Sequence, residues 1–147
     1  MSAQTNETLV RSIFEAFNTR NFDEAAKLVS DTSEYRNAAT GEVFPGPDGT
    51  RQYMQYWANA FDDAKVEIKR IIATDKFVVT EFIGRGTHTG PLETPAGSIP
   101  PTHRTVELPS CEIVSIEKGK VTSGVMYFDT ATLLQQLGVH ELAGAHK

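Results

Sequence analysis

Cysteine is nearly absent from this sequence, which has only Cys111 among its 147 residues. A single cysteine excludes a disulfide within the chain, and such scarcity fits a reducing compartment. Residues 1–8 lack the basic start and apolar run of a secretory signal, and they show no transit-peptide pattern. These features predict a cytoplasmic protein.

Basic clusters and long apolar runs are missing as well. The formal net charge is -5, so we expect no binding to nucleic acid or to an anionic membrane surface. The apolar runs extend over only a few residues, whereas a membrane-spanning helix needs about 20. The length suits one domain over residues 1–147, with a core from about 6 to 138 and a frayed tail from 139 to 147.

Residue patterns for cofactors and nucleophiles are sparse. His88 and His103 are too few, and too far apart across a loop, to make a metal site with His140 or His146. No Gly-x-Ser-x-Gly elbow is present, and Gly84-Arg85-Gly86 lies within a strand-like run instead of a phosphate-binding turn. The residues therefore predict no metal site, no nucleophile elbow and no nucleotide-phosphate loop.

The first part of the chain has the apolar spacing of helices. Leu9, Val10, Ile13, Phe14 and Phe17 recur at helical intervals, with Thr5 or Asn6 available as a cap. The predicted elements are a helix over 6–18, a short helix over 22–29, a brief strand over 33–38, a loop over 40–49 and a helix over 50–61.

After residue 61 the period changes from 3.6 to 2, as expected for strands. The predicted elements are strands over 64–72, 77–88, 102–116 and 121–128, a hairpin turn at 117–120, and a helix over 130–137 ended by Gly138. Gly84 and Gly86 suggest a bulge or bend. Helices followed by antiparallel strands predict an α+β domain, in which helices close one face of a curved, mostly antiparallel sheet into a cone.

In its motifs and their order, the sequence resembles the SnoaL-like polyketide cyclases, also called ester cyclases, of the nuclear-transport-factor-2-like superfamily with its cystatin-like cone. The matching segments lie between about residues 8 and 138: 14–18, 60–63, 86–90, 116–121, 128–129 and 135–138. The resemblance implies a cofactor-free homodimer that closes a ring of a polyketide ester by intramolecular aldol condensation. It places the family's catalytic aspartate at Asp129. Residues 123–126 (Ser-Gly-Val-Met) depart from the family's usual tryptophan and polar residues, which implies a remodelled pocket.

Asp129 and His88 are the predicted catalytic residues. Strand alternation puts one set of β-strand side chains on one face, namely Val121, Ser123, Val125, Tyr127 and Asp129. If Val125 faces the cavity, so does Asp129, and burial there would raise the pKa of Asp129 and make it a better general base. The alternative is an N-cap of the last helix, which would lower that pKa. His88 ends a long strand, where it would donate to an enolate oxygen or orient Asp129. Its alternative is to hold the next loop through a backbone carbonyl.

Glu112 stands in the middle of an otherwise mostly apolar strand face. Either a bulge near Pro109 turns the strand, which the sequence favours, or Glu112 points into the cavity as a second acid. Tyr53, Trp57, Tyr127 and Val125 are predicted walls for a small apolar or aromatic molecule, although Tyr53 and Trp57 also suit a core.

Three functions agree with these residues. The first is a cofactor-free enzyme acting on a carbon acid, with Asp129 as base and His88 as supporting donor. The second is a non-catalytic protein that binds a small apolar ligand, which the loss of polar residues at 124 and 125 supports. The third is a hydrolase or isomerase on the same scaffold.

Overall fold

Four helices and eight strands make up residues 2–139, the part of the chain that the computed structural model describes. The helices are α1 (Ala3–Asn18), α2 (Phe22–Ala26), α3 (Gly46–Ala60) and α4 (Thr130–Leu137). The strands are β1 (Val29–Asn37), β2 (Val43–Pro45), β3 (Lys65–Ala73), β4 (Phe77–Thr87), β5 (Leu92–Thr94), β6 (Gly97–Ile99), β7 (Thr105–Glu117) and β8 (Lys120–Phe128). The predicted α+β class is confirmed, and the tail predicted to fray lies outside the described residues from 140 onward.

The N-terminal helices differ from the prediction at their ends. Ser2, rather than Thr5 or Asn6, caps α1, and its Oγ accepts a hydrogen bond from the Thr5 amide at 3.0 Å. Asn6 is buried and donates from Nδ2 to the carbonyl of Thr74, so it ties α1 to the sheet. The short helix α2 ends at Ala26, because the chain already enters β1 at Val29.

The segment predicted as a loop before α3 contains strand β2 and the first turn of that helix. Pro47 stands in this first turn, where its missing N–H leaves no helical hydrogen bond unmade. Gly46 has φ 66°, a left-handed conformation that favours glycine at the junction between β2 and α3.

The main sheet has six strands in the order β2-β1-β8-β7-β4-β3. Its neighbouring strands are antiparallel except for β1 and β8, which run parallel. A separate hairpin of β5 and β6 lies within the segment predicted as the loop from Thr89 to Pro101. The predicted curved, mostly antiparallel sheet is therefore confirmed, with one parallel pair added.

Helices α1, α3 and α4 pack against the sheet and bury its inner face. Val78, Val114 and Met126 point inward and are almost fully buried, whereas their chain neighbours Phe77, Ile113 and Tyr127 are exposed on the outer face. This alternation follows from the pleat of the strands. Within residues 2–139, no helix is long and apolar enough to cross a membrane.

A bulge in β8 decides which of its side chains point inward. Ser115 pairs with Ser123 but Ile116 pairs with Val121, so Thr122 is an extra residue in the ladder. An extra residue reverses the alternation. The prediction that Val121, Ser123, Val125, Tyr127 and Asp129 share one face is therefore wrong.

The bulge predicted near Pro109 is absent from the pairing of β4 with β7, where Ile83 pairs with Pro109 in unbroken register. On the side of β7 away from β4, the Gln136 side chain accepts from the Glu107 amide and donates to the Glu107 carbonyl. Pro109 lies two residues after Glu107, so its nitrogen points to the same side of β7, away from β4. Strand β8 does not reach Pro109, because its last residue, Phe128, pairs with Ser110. The missing N–H of Pro109 therefore costs no ladder bond.

The strand glycines also leave the register intact. Gly84 and Gly86 pair in sequence with Leu108 and Val106 of β7, without the bulge that their presence suggested. The register shift between β3 and β4 lies instead between Ile68 and Arg70.

Candidate active site

A cavity of about 150 Å³ lies between the inner face of the sheet and helices α1 and α3. Its wall is mostly apolar and includes Phe14 from α1, Tyr53 and Trp57 from α3, and Glu112 and Met126 from the sheet. Apolar cavities of about 150 Å³ hold benzene, so this one has room for a ring-sized apolar group. Exposed residues at 34 and 65 also line it, which connects it to solvent.

Glu112 is the carboxylate that the middle of the sheet contributes to this cavity, whereas Glu34, which also lines it, is exposed. Glu112 lies in the middle of β7, paired with Thr80 of β4 on one side and with Met126 of β8 on the other. Its Oε1 accepts a hydrogen bond from the Tyr35 hydroxyl at 2.6 Å. No other hydrogen bond from residues 2–139 reaches the carboxyl group, so Oε2 is available to a molecule in the cavity.

Burial raises the pKa of Glu112 to about 7, against the opposing effect of the hydrogen bond from Tyr35. The physical cause is the loss of water around the charged form. At neutral pH both the acid and the carboxylate are therefore populated, which is the condition under which a side chain transfers protons most effectively in either direction.

Two tyrosines accompany this carboxyl group. Burial, followed by the charge of Glu112, raises the pKa of Tyr35 well above its usual value, so Tyr35 stays a neutral donor. The Tyr53 ring centroid lies 4.8 Å from that of Tyr35, and burial raises the pKa of Tyr53 too. The Tyr53 hydroxyl donates to Met126 Sδ at 2.7 Å, and a thioether is a weak acceptor. Tyr53 can therefore turn its hydroxyl to a stronger acceptor on a ligand.

Trp57 adds a further polar atom to the cavity wall. Its indole Nε1 is buried and has no hydrogen-bond partner among residues 2–139. The structure thus brings together three of the predicted site residues, Tyr53, Trp57 and Glu112, around one cavity.

Asp129, the predicted base, is exposed and does not line the cavity. Its Oδ1 accepts from the Ala131 amide at 3.1 Å, and its Oδ2 accepts from the Thr132 hydroxyl at 2.8 Å. The carboxylate is thus the N-cap of α4, which was the alternative reading of this residue. The expectation that it enters the cavity is wrong, because the β8 bulge reverses the alternation before the strand ends.

Val125 and Tyr127 are also misplaced by the predicted alternation. They pair with Ile113 and Cys111 of β7 on the outer face, and 46% of Tyr127 is exposed. Neither residue lines the cavity. The expectation that they form its wall is therefore wrong, for the same reason as for Asp129.

His88 is fully buried but lies outside the cavity wall. Its Nδ1 accepts from the Thr102 amide at 3.1 Å and lies 3.0 Å from the Thr102 hydroxyl oxygen. Burial lowers the pKa of His88, so a neutral ring is favoured. His88 therefore holds the loop, as its alternative stated, although through a backbone N–H instead of a carbonyl. Within residues 2–139, no cluster of three or more His, Cys, Asp or Glu side chains could hold a metal ion.

Tyr35 is the site residue that the sequence reasoning missed. It shares one face of β1 with the buried residues Ser33 and Asn37, and the residues between them are exposed. This period of two was a signal that the strand has an inner face. The parallel pairing of β1 with β8, which brings Tyr35 beside Gly124, had no signal in the local sequence.

Comparison with known proteins agrees with this architecture. The sequence profile of the SnoaL-like polyketide cyclase family matches residues 7–137. The chain belongs to this family. No curated protein sequence matches it.

Solved structures of similar proteins share the fold. A SnoaL-like polyketide cyclase candidate from Jannaschia sp. CCS1 has a TM-score of 0.83 at 13% identity, over 95% of each chain. IdmH, a polyketide cyclase candidate from Streptomyces antibioticus, has a TM-score of 0.75 at 23% identity, over 90% of this chain and 98% of its own. A protein of ketosteroid isomerase-like fold from Catenulispora acidiphila, solved with trimethylamine, has a TM-score of 0.75 at 17% identity, over 89% of this chain and 92% of its own.

Proposed function

We propose that the protein is a cofactor-independent enzyme that moves a proton at a carbon atom next to a carbonyl, as intramolecular aldol ring closure requires. The observation that carries the proposal is the Glu112 carboxyl group, which lines an apolar cavity where the loss of water raises its pKa to about 7. Membership of the polyketide cyclase family supports ring closure as the outcome.

The reaction begins with Glu112 as general base. Its Oε2 takes a proton from the carbon next to the substrate carbonyl, and the electron pair of the broken C–H bond moves into an enolate. The enolate carbon then attacks a second carbonyl carbon of the same molecule, which forms the new C–C bond and an alkoxide. Protonated Glu112 returns the proton to this alkoxide, so the carboxylate is regenerated.

The two tyrosines have separate roles in this scheme. Tyr35 holds Oε1 at 2.6 Å, which leaves Oε2 for the substrate. Tyr53 exchanges its weak contact with Met126 Sδ for the enolate oxygen, where a hydrogen bond stabilises the developing charge. An apolar wall excludes water and strengthens both interactions.

A non-catalytic ligand-binding protein is the second candidate, favoured by the mostly apolar wall of the cavity. A third outcome uses the same first step: if the proton returns to another carbon, the reaction is an isomerisation. Both alternatives predict that an apolar ligand enters the same cavity. The isomerase would differ from the cyclase in its product, whereas the ligand-binding protein would differ from both because it moves no proton.

Hydrogen exchange in D₂O tests the shared first step without knowledge of the natural substrate. Cyclic ketones and β-keto esters with one aromatic ring serve as probes, and NMR follows deuterium incorporation next to the carbonyl. We expect the protein to accelerate exchange and Glu112→Gln to remove that acceleration. Binding of the probes with exchange no faster than in Glu112→Gln would favour the ligand-binding protein.

We also propose that the protein is a homodimer that covers the outer face of its sheet. Ile72, Val79, Ile113 and Val125 pair with one another across four strands and form an apolar row that no helix within residues 2–139 covers. Exposed apolar rows of this kind mark association surfaces. Sedimentation should give a dimer for the native chain and a monomer for Ile113→Lys.

A further inference from the structure

Gly124 lies where the cavity wall, Tyr35 and β7 meet. It pairs with Tyr35 of β1 on one side and with Val114 of β7 on the other. A Cβ atom at this position would lie 2.8 Å from Tyr35 Cδ1, 3.1 Å from Tyr35 Cε1 and 3.1 Å from Val114 Cγ1. Carbon atoms pack at about 3.5–4.0 Å, so any side chain here would displace the tyrosine ring.

We propose that Gly124 is a positioning residue, whose missing side chain lets the Tyr35 ring lie against β8 so that its hydroxyl reaches Glu112. Glycine weakens a strand interior, and its presence there often marks a close approach of another group. The close approach in this case is the Tyr35 ring. The importance of Glu112 rests on the proposed function, but the placement of Tyr35 can be tested without any turnover.

The surroundings of Tyr35 leave the ring little room to yield. The Tyr53 ring packs against it with centroids 4.8 Å apart, and Tyr53 in turn packs against Phe44 at 5.0 Å. The hydroxyl lies 2.6 Å from Glu112 Oε1, and a hydrogen bond is lost once that distance grows by about 1 Å. A methyl group at position 124 would therefore weaken the bond between Tyr35 and Glu112.

Gly84 provides a matched control. It also lies within a strand and lines the same cavity, but a Cβ atom added there meets no heavy atom within 4 Å. Neither glycine has a positive φ, so alanine is compatible with the backbone at both positions. The two alanine variants thus differ in whether the added methyl group meets Tyr35.

The experiment measures the pKa of Glu112 by ¹³C NMR titration of its carboxyl carbon in the native chain, Gly124→Ala, Gly84→Ala, Tyr35→Phe and Tyr35→Phe/Gly124→Ala. Because the bond from Tyr35 holds that pKa down, we expect Tyr35→Phe and Gly124→Ala each to raise it, by about one pH unit. Gly84→Ala should leave it unchanged. In the Tyr35→Phe background, Gly124→Ala should add almost nothing.

An unchanged pKa in Gly124→Ala, an equal rise in Gly84→Ala, or a rise that adds in full to that of Tyr35→Phe would each overturn the proposal. If Gly124→Ala does not fold, Tyr35→Val/Gly124→Ala replaces it, since valine keeps a strand-compatible side chain but has no ring. If that double variant folds, the result supports a clash between the added methyl group and the Tyr35 ring. If it does not fold, the result contradicts the proposal. If the native chain accelerates no exchange but its Glu112 pKa responds to the variants as expected, the result counts against the proposed function alone.

Discussion

Glu112 and Asp129 are two carboxylates of the same strand pair, one in the middle of β7 and the other just beyond the end of β8, and the structure uses them differently. Glu112 lines an apolar cavity, with one oxygen bound by Tyr35 and the other without a hydrogen bond from residues 2–139. Asp129 lies one residue beyond β8, exposed, with both oxygens bound to the first turn of α4. Burial gives Glu112 the raised pKa expected of a proton-transfer group.

The difference shows that sequence position near a strand end is a weak guide to catalytic use. An aspartate followed by a helix has backbone amides within reach, so it is stabilised as a cap. A glutamate in mid-strand has no such local partners. Its environment is set by whatever the other strands and helices place above it.

The largest expected effect is on the rate of probe deuteration, when each of the two carboxylates is replaced in turn by an amide. Glu112→Gln should lower the rate of probe deuteration by about 10²–10⁴-fold, because the amide cannot accept the proton. Asp129→Asn should leave this rate within about twofold, because its carboxylate lies outside the cavity. Similar losses in both variants would erase the distinction between the two residues.

The pH dependence of stability should give the next largest effect. The pKa of Glu112 is about 7 in the folded chain against 4.5 for an ordinary glutamate, so the folded state binds more protons between these values. Stability should therefore fall as pH rises from about 4.5 to 7, by at most about 3 kcal/mol. Denaturant unfolding of the native chain and Glu112→Gln, compared at each pH, measures this term.

The comparison with Glu112→Gln also removes the contribution of His88. The lowered pKa of His88 acts in the opposite direction, because stability is then lost as pH falls below the usual value of 6.5. Both proteins contain His88, so its effect cancels in the difference. A difference between the two proteins that stays constant from pH 4.5 to 8 would show that Glu112 titrates normally.

The smallest effect should come from the cap. Asp129→Ala should lower the free energy of unfolding by about 1 kcal/mol, since two hydrogen bonds at the start of α4 are lost. Asp129→Asn should cost only a few tenths of a kcal/mol, because asparagine caps almost as well. Thermal unfolding monitored by circular dichroism separates these values, and equal losses in both variants would point to a role for the charge instead.

Much of the fold was predictable from local patterns. The apolar spacing of residues 9–17 gave the α1 helix, the period of two gave strands β3, β4 and β7, and Gly138 ended α4 in a left-handed conformation. Helical spacing identified Tyr53 and Trp57 as candidate cavity residues, and strand alternation identified Glu112. Each of these features depends on neighbours within a few residues, so the sequence contains the whole signal.

The remaining features depend on contacts between distant segments. One extra residue at Thr122 turned Val125, Tyr127 and Asp129 away from the cavity. At Pro109, β7 has no β8 partner, so the strand needs no bulge there and Glu112 faces the cavity. The parallel pairing of β1 with β8 placed Tyr35 beside Gly124 and Glu112. The sequence by itself determined the helices, the long strands and the family, because periodicity and motifs are local. Tertiary structure alone decided which carboxylate is buried, because strand register and pairing are set by the packing of the whole sheet.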